Sequence, residues 1–141
     1  MAIIASIRQY TAMQNLIAQA KGAIRHSYAP YSQFRVAAAV LDEAGNVHIG
    51  VNVENVSYAM TQCAERNAIC SAITKGAKSI SAVVIYTPTD TPTPPCGACR
   101  QVIREFASHA TVLSVCDSQK QIESTIDDLL PHSFNQEQHL S

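Results

Sequence analysis

Residues 63–86 read CAERNAICSAITKGAKSISAVVIY, and the two halves of that stretch repeat with different periods. In the first half Ala64, Ala68, Ile69, Ala72 and Ile73 recur at helical spacing, and Gly76 stands where a glycine ends a helix, so 63–75 is expected to be helical. The second half, SAVVIY at 81–86, is apolar over its whole length, as a strand buried on both faces must be. A helix feeding such a strand is the unit of a layered α/β domain.

The flanks repeat the theme. Downstream, 96–107 places Val102, Ile103 and Phe106 on one side of a helix and Arg100, Arg104 and Glu105 on the other; 111–116 is a second buried strand, and 121–130 a strand followed by a short helix. Upstream, the small and β-branched run at 34–42, the turn Glu43-Ala44-Gly45-Asn46 and the strand at 47–53 make a hairpin. Before it, Met13, Leu16, Ile17, Ala20 and Ile24 oppose Gln14, Gln19 and Lys21 on an amphipathic helix from Tyr10 to about His26, ended by Pro30. The expectation is an α/β fold with one antiparallel hairpin on an otherwise largely parallel sheet. It forms a single domain over 1–141, with peripheral tails at 1–9 and 135–141.

Composition narrows the function. The chain has 141 residues, 47% of them apolar, and a mean hydropathy of +0.02, enough for one core and too little for two ordinary domains. Ten Lys and Arg against eleven Asp and Glu give a net charge of −1, without the basic surface that grips a nucleic-acid backbone. No apolar run reaches the roughly 20 residues of a membrane span, and MAIIASIRQ turns polar too soon for a signal peptide, so no membrane partner is expected and the cytoplasm is the expected compartment. Five cysteines, an odd number without an export signal, point to a metal or to reactive thiols.

Cys96-Gly97-Ala98-Cys99 follows Pro94 and Pro95, which set it in the first turn of a helix, and Cys63 stands at the matching start of the helix before. Helix N-termini favour thiolate through their unpaired N–H groups and dipole. Three thiolates would give zinc three protein ligands and leave its fourth position open to water, the pattern of a catalytic site. Alternatives are a redox CxxC pair, or a structural site closed by Cys70 or Cys116. Cys70 lies two helical turns past Cys63 at about 1.5 Å rise per residue, too far for the same shell, and Cys116 sits in an apolar strand, where cysteine ordinarily packs. Glu65 opens the same helix as Cys63; such a carboxylate stabilises a helix start, and here it can also shuttle protons between water and a substrate. Zinc with three thiolates carries a formal charge of −1, so a neighbouring cation is needed, Arg66 or Arg100. Arg66 is expected to donate to a ligand sulfur and restrain its electron donation.

Four stretches, YAPYSQFRVAAAV (28–40), GVNVENVSYAMTQCAERNAI (50–69), PPCGACRQVIREF (94–106) and LLPHSF (129–134), carry a resemblance to the cytidine deaminases in their short homotetrameric form. The resemblance implies a three-layer α/β/α fold on a mixed, largely parallel five-stranded sheet, and one zinc per subunit on Cys63, Cys96 and Cys99. Glu65 would be the proton-transferring residue in hydrolysis of cytidine and deoxycytidine to uridine and deoxyuridine with release of ammonia. It implies that Asn52 and Glu54 hold the sugar, which agrees with their spacing: two residues apart at a strand end, they project to one face and can make bidentate contacts to a ribose hydroxyl. It also implies that Phe34 packs on the pyrimidine, that Phe134 and Tyr58 reach a neighbouring subunit's site, and that a lone monomer is poorly active. A backbone N–H near Ala64 could bind the base carbonyl. One departure is Ala37, where the family commonly has glycine. Its methyl could reshape the pocket wall and so bears on preference among pyrimidine nucleosides; a deaminase of modified cytosine nucleosides or of an aminonucleoside antibiotic, which would share the metal site, is the alternative. The five histidines show no ligand spacing, and none precedes an x-Glu, against the His-ligated nucleotide and tRNA branches.

Overall fold

In the computed structural model, which describes residues 1–140, the strands β1 (Ala37–Asp42), β2 (Val47–Val51), β3 (Ile80–Tyr86), β4 (Thr111–Val115) and β5 (Gln121–Thr125) form one sheet in the order β2-β1-β3-β4-β5. The mixed five-stranded α/β sheet agrees with the expectation, but its largely parallel character does not. β1 runs antiparallel to both β2 and β3, β4 runs antiparallel to β5, and the pair β3 and β4 alone is parallel. The reason is connection length. The 43–46 and 116–120 links are too short for a crossover and must make hairpins, and β1 then lies between β2 and β3.

The helices are α1 (Ala2–Ala23), α2 (Ala64–Thr74), α3 (Gly97–Phe106), α4 (Ile126–Leu129) and α5 (Gln136–His139). Strand alternation sorts the core into two halves. Ala38 and Val40 of β1 and Val83 and Ile85 of β3 pack with Ala68, Ile69 and Ile103 of α2 and α3; Ala37, Ala39 and Val84 pack on the opposite face with Leu16 and Ala20 of α1. Three layers result. Leu16 is fully buried, and removing such a side chain from water contributes about 2 kcal/mol to docking α1.

α1 starts earlier than Tyr10. The stretch AIIASIRQ contains no glycine or proline, so the helix reaches back to Ala2, with Ile3, Ile4, Ile7 and Tyr10 exposed. Its expected end at His26 is a 3-10 turn, Ile24–His26. At the other terminus the expected tail contains α5, and Ser141 lies outside the described residues. Among the described residues no helix is long and apolar enough to cross a membrane.

The first hairpin closes on a buried polar pair. Asp42 accepts from the backbone N–H groups of Ala44 (2.9 Å) and Asn46 (2.8 Å), which folds the turn over Gly45 at φ +87°, and its second oxygen meets His48 Nε2 at 2.8 Å. These bonds, His48 first, draw the Asp42 carboxyl down to about 2.

Candidate active site

The register aligns Val51, Ala37, Tyr86 and Val115 across the sheet, so the C-terminal ends of β2, β3 and β4 share one edge. Chain direction then places the starts of α2 and α3 above that edge, where open α/β sheets bind ligands. Cys63 is the N-cap of α2 and Cys96 the N-cap of α3, both extended in backbone, and neither sulfur is spent on a capping hydrogen bond. Cys99 follows in the first turn of α3 and is fully buried.

The three sulfurs lie within 4.8 Å of one another, and Cys63 Sγ to Cys96 Sγ is 4.0 Å. Tetrahedral zinc with bonds of about 2.3 Å needs sulfurs about 3.8 Å apart, so the donor set fits that ion. Cys70 and Cys116 are not in this group. Cys70 is exposed, and Cys116 is buried against Ser118 and Lys120, so among the described residues no fourth cysteine closes the site. The Cys63 thiol is drawn down to about 5, by its hydrogen bond with Cys99 first and then by Arg66, against the effect of burial. Cys99 is pushed up by the same bond and by its burial.

Of the two candidate cations the structure selects Arg66. One terminal nitrogen lies 3.6 Å from Cys63 Sγ and 3.0 Å from the Thr61 carbonyl oxygen. Arg100 is committed elsewhere, donating to the carbonyls of Pro95 and Leu129, both at 2.8 Å. That pins the loop before α3 and is not a contact to sulfur.

Cys63, Cys96, Ala64 and Glu65 open into a cavity of about 260 Å³, closed by Phe34, Val36, Asn52, Glu54, Ile85, Thr93 and Pro94. That volume lies just below the small-molecule range, which begins near ~300 Å³, and the lining contains no Lys or Arg. Glu65 is 5% exposed; burial raises its carboxyl above the ordinary carboxylate range, and the adjacent Cys63 thiolate adds to the rise.

Asn52 and Glu54 both line this cavity. Asn52 is buried, its Oδ1 accepting from Val36 N–H (2.9 Å) and Ser27 Oγ, its Nδ2 donating to Phe34 O (2.8 Å). Glu54 accepts from the backbone N–H groups of Tyr31 (2.9 Å) and Ser32 (3.1 Å) and from the Ser32 hydroxyl. Of the amide's four hydrogen-bonding positions one N–H is left over, and of the carboxylate's four acceptor positions one is left.

The remaining expected residues fall in three places. Phe34 is part of the cavity wall. Tyr58 lines an adjoining hollow with Tyr31, Ser32, Glu54 and Thr61, its ring edge-on to Tyr31 at 5.7 Å, and is 74% exposed. Phe134 is not brought to this cavity; it lies exposed beside His139, ring centres 5.0 Å apart. The Ala37 methyl packs on the α1 side of the sheet, so the expectation that it reshapes the pocket wall is corrected: the cavity is on the other face, where Val36 lines it.

Ser27, Ser32, Thr61, Thr93 and Ile85 were not anticipated from the sequence. Ile85 alone carried a signal, as the last α2-facing residue of an apolar strand.

The model of the family described as cytidine and deoxycytidylate deaminase zinc-binding region matches residues 11–115, which include all three clustered cysteines and Glu65. The cytidine deaminase of Sporosarcina psychrophila is 42% identical over 126 residues, 89% of this chain and 93% of its own. The crystal structure of cytidine deaminase from Burkholderia pseudomallei superposes with a TM-score of 0.82 at 40% identity, covering 86% of this chain and 98% of that one. For the enzyme from Mycobacterium tuberculosis the TM-score is 0.75 at 35% identity, over 87% and 97% of the two chains. With a zinc-fitting trio of thiols beside a buried glutamate and these similarities over most of its length, the chain belongs to the cytidine and deoxycytidylate deaminase family.

Proposed function

We propose that this protein is a zinc-dependent hydrolase that converts cytidine and deoxycytidine, with water, to uridine and deoxyuridine and ammonia. The observation that carries the reading is that Glu65 and two of the three clustered cysteines, Cys63 and Cys96, open into the same cation-free cavity as Asn52 and Glu54, with Cys99 buried behind them. A modified-cytosine or antibiotic substrate would use the same metal site, and the doubt that Ala37 cast on the pocket is removed by its side chain lying on the other face of the sheet.

Cys63, Cys96 and Cys99 would hold zinc, which would supply Lewis acidity that makes water nucleophilic near neutral pH. Glu65, buried and disposed to hold a proton, takes one from the attacking water and passes it to the pyrimidine ring nitrogen, which makes the amino-bearing carbon electrophilic. The same carboxyl then takes the second proton, from the hydroxyl now on that carbon, and delivers it to the amine, so the C–N bond breaks, ammonia leaves and the carbonyl forms. The first N–H groups of α2 have no intrahelical partner, and that of Ala64, in the cavity wall, is available to the base carbonyl. Asn52 and Glu54 present one donor and one acceptor, a match for a sugar hydroxyl, while the cation-free wall offers a phosphate nothing. Arg66 offsets the negative charge of the sulfurs.

The working unit is a homotetramer of single-domain subunits in the cytoplasm. Exposed Val56, Tyr58 and Met60 lie on the segment between Glu54 and Cys63, and exposed Phe134 lies just before α5; a second copy covering them would complete each site. The test follows loss of cytidine absorbance beside Glu65→Ala at equal zinc content, across a protein dilution series. The native chain should turn over and the variant fall by at least about 100-fold, with native activity per chain declining on dilution. No turnover by folded, zinc-loaded native protein refutes the reading.

A further inference from the structure

The Val36 N–H and the Phe34 carbonyl set which way the Asn52 amide lies, and we infer that Ser27 is the positioning residue that closes off its oxygen, so that Asn52 shows the cavity a donor alone. Oδ1 of Asn52 has two acceptor positions, taken by Val36 N–H at 2.9 Å and by the Ser27 hydroxyl at 2.5 Å. One Nδ2 hydrogen goes to Phe34 O at 2.8 Å. The amide oxygen is therefore fully occupied, and the single free group is an N–H. Turned over, the amide would set NH₂ against the Val36 N–H and oxygen against the Phe34 carbonyl, a donor facing a donor and an acceptor an acceptor.

Ser27 itself is held from elsewhere. It ends the 3-10 turn Ile24–His26, where its N–H donates to Ile24 O at 3.1 Å, and the chain after it is laced to the segment bearing Asn52 and Glu54. Tyr28 N–H donates to Asn52 O at 3.0 Å and Glu54 N–H to Tyr28 O at 2.9 Å. Ser27 is not among the residues lining the cavity, so it acts through Asn52. With Oδ1 engaged, Asn52 offers a donor beside the free acceptor position of Glu54, a pair that suits a hydroxyl and gives nothing to a carbon lacking one. Ser27 thus contributes to selection for a hydroxylated sugar without touching it. That the ligand is a nucleoside rests on the deaminase reading; the positioning of Asn52 does not.

The experiment compares Ser27→Ala and Ser27→Thr as zinc-loaded full-length proteins. In ¹⁵N-asparagine-labelled protein, exchange of the Asn52 side-chain amide protons with water should accelerate about 3- to 10-fold in the alanine variant, the weight of one neutral hydrogen bond, and stay near native in the threonine variant. With cytidine and its 2′-deoxy and 3′-deoxy analogues, the preference for cytidine over the analogue the native enzyme most disfavours should shrink by a similar factor in Ser27→Ala, through KM rather than kcat. Unchanged Asn52 exchange overturns the inference, and so does an equal loss on all three nucleosides. If native protein turns over no cytidine, the deaminase reading falls, and the Asn52 exchange rates alone decide on Ser27.

Discussion

Gly50 lies on β2 directly under the start of α2, and replacing it with alanine is the sharpest test of how the site is held. A Cβ built there falls 2.2 Å from Ala64 O, 2.3 Å from Ala68 N and 3.0 Å from Ala68 Cα. All three are backbone atoms of the helix that carries Glu65 and follows Cys63, so no side chain can turn aside. Separations under 3.0 Å are essentially never found for a Cβ, so β2 and α2 must part by about 1 Å. Overpacking against backbone belongs at the upper end of such costs, about 3 kcal/mol. For a chain of this size that lowers Tm by roughly 10 °C. A displacement of about 1 Å between Glu65 and the α3 cysteines costs about 100-fold in turnover. The assay is a thermal melt, zinc stoichiometry and cytidine turnover of Gly50→Ala beside Gly22→Ala, a control in α1 whose added Cβ meets nothing within 4 Å. The control should be neutral or more stable by up to about 1 kcal/mol, since alanine is the better helix former. Gly50→Ala protein that melts within about 2 °C of native, with full zinc and turnover, would refute the claim that close approach of β2 and α2 sets the site.

Two further predictions concern the scaffold. Asp42 titrates near 2 in the folded chain against its ordinary 3.8, so its contribution to stability is complete above about pH 4 and is lost as pH falls through about 2. Melting temperature should therefore fall more steeply from pH 4 to 2 in native protein than in Asp42→Asn, a difference in which titration of the metal ligands cancels; parallel curves would contradict the His48 contact. Ala37→Gly should lower stability by about 1 kcal/mol through strand entropy and lost packing on α1, with the ratio of cytidine to deoxycytidine turnover unchanged. A changed ratio would mean that this methyl acts on the pocket after all.

Much of the local structure was legible because its causes are local. Helical spacing after Cys63 and Gly76 past its end specify α2, and Gly76 does adopt φ +98°. Pro94 and Pro95 before CxxC place Cys96 and Cys99 at the start of α3, as found. Strand direction was less legible: apolar runs locate β3 and β4, but nothing in them says that β1 would lie antiparallel between β2 and β3. The expectation that Arg66 meets a ligand sulfur agrees with the 3.6 Å contact to Cys63, whereas the hold on Arg100 by Pro95 O and by Leu129 O, far along the chain, was not legible.

The sequence by itself determined the chemistry on offer: three thiols and a carboxylate at two helix starts, in an order and spacing that specify the family. Those properties depend on neighbours within a turn or two of helix, where backbone geometry fixes direction. The tertiary structure alone decided how the pieces meet: Gly50 against Ala64, Ser27 on Asn52, Ala37 turned to α1, Tyr58 and Phe134 outside the cavity of their own chain. Each of these joins residues far apart in the chain, or depends on which face of a strand is turned to which helix, and the pairing of strands settles that.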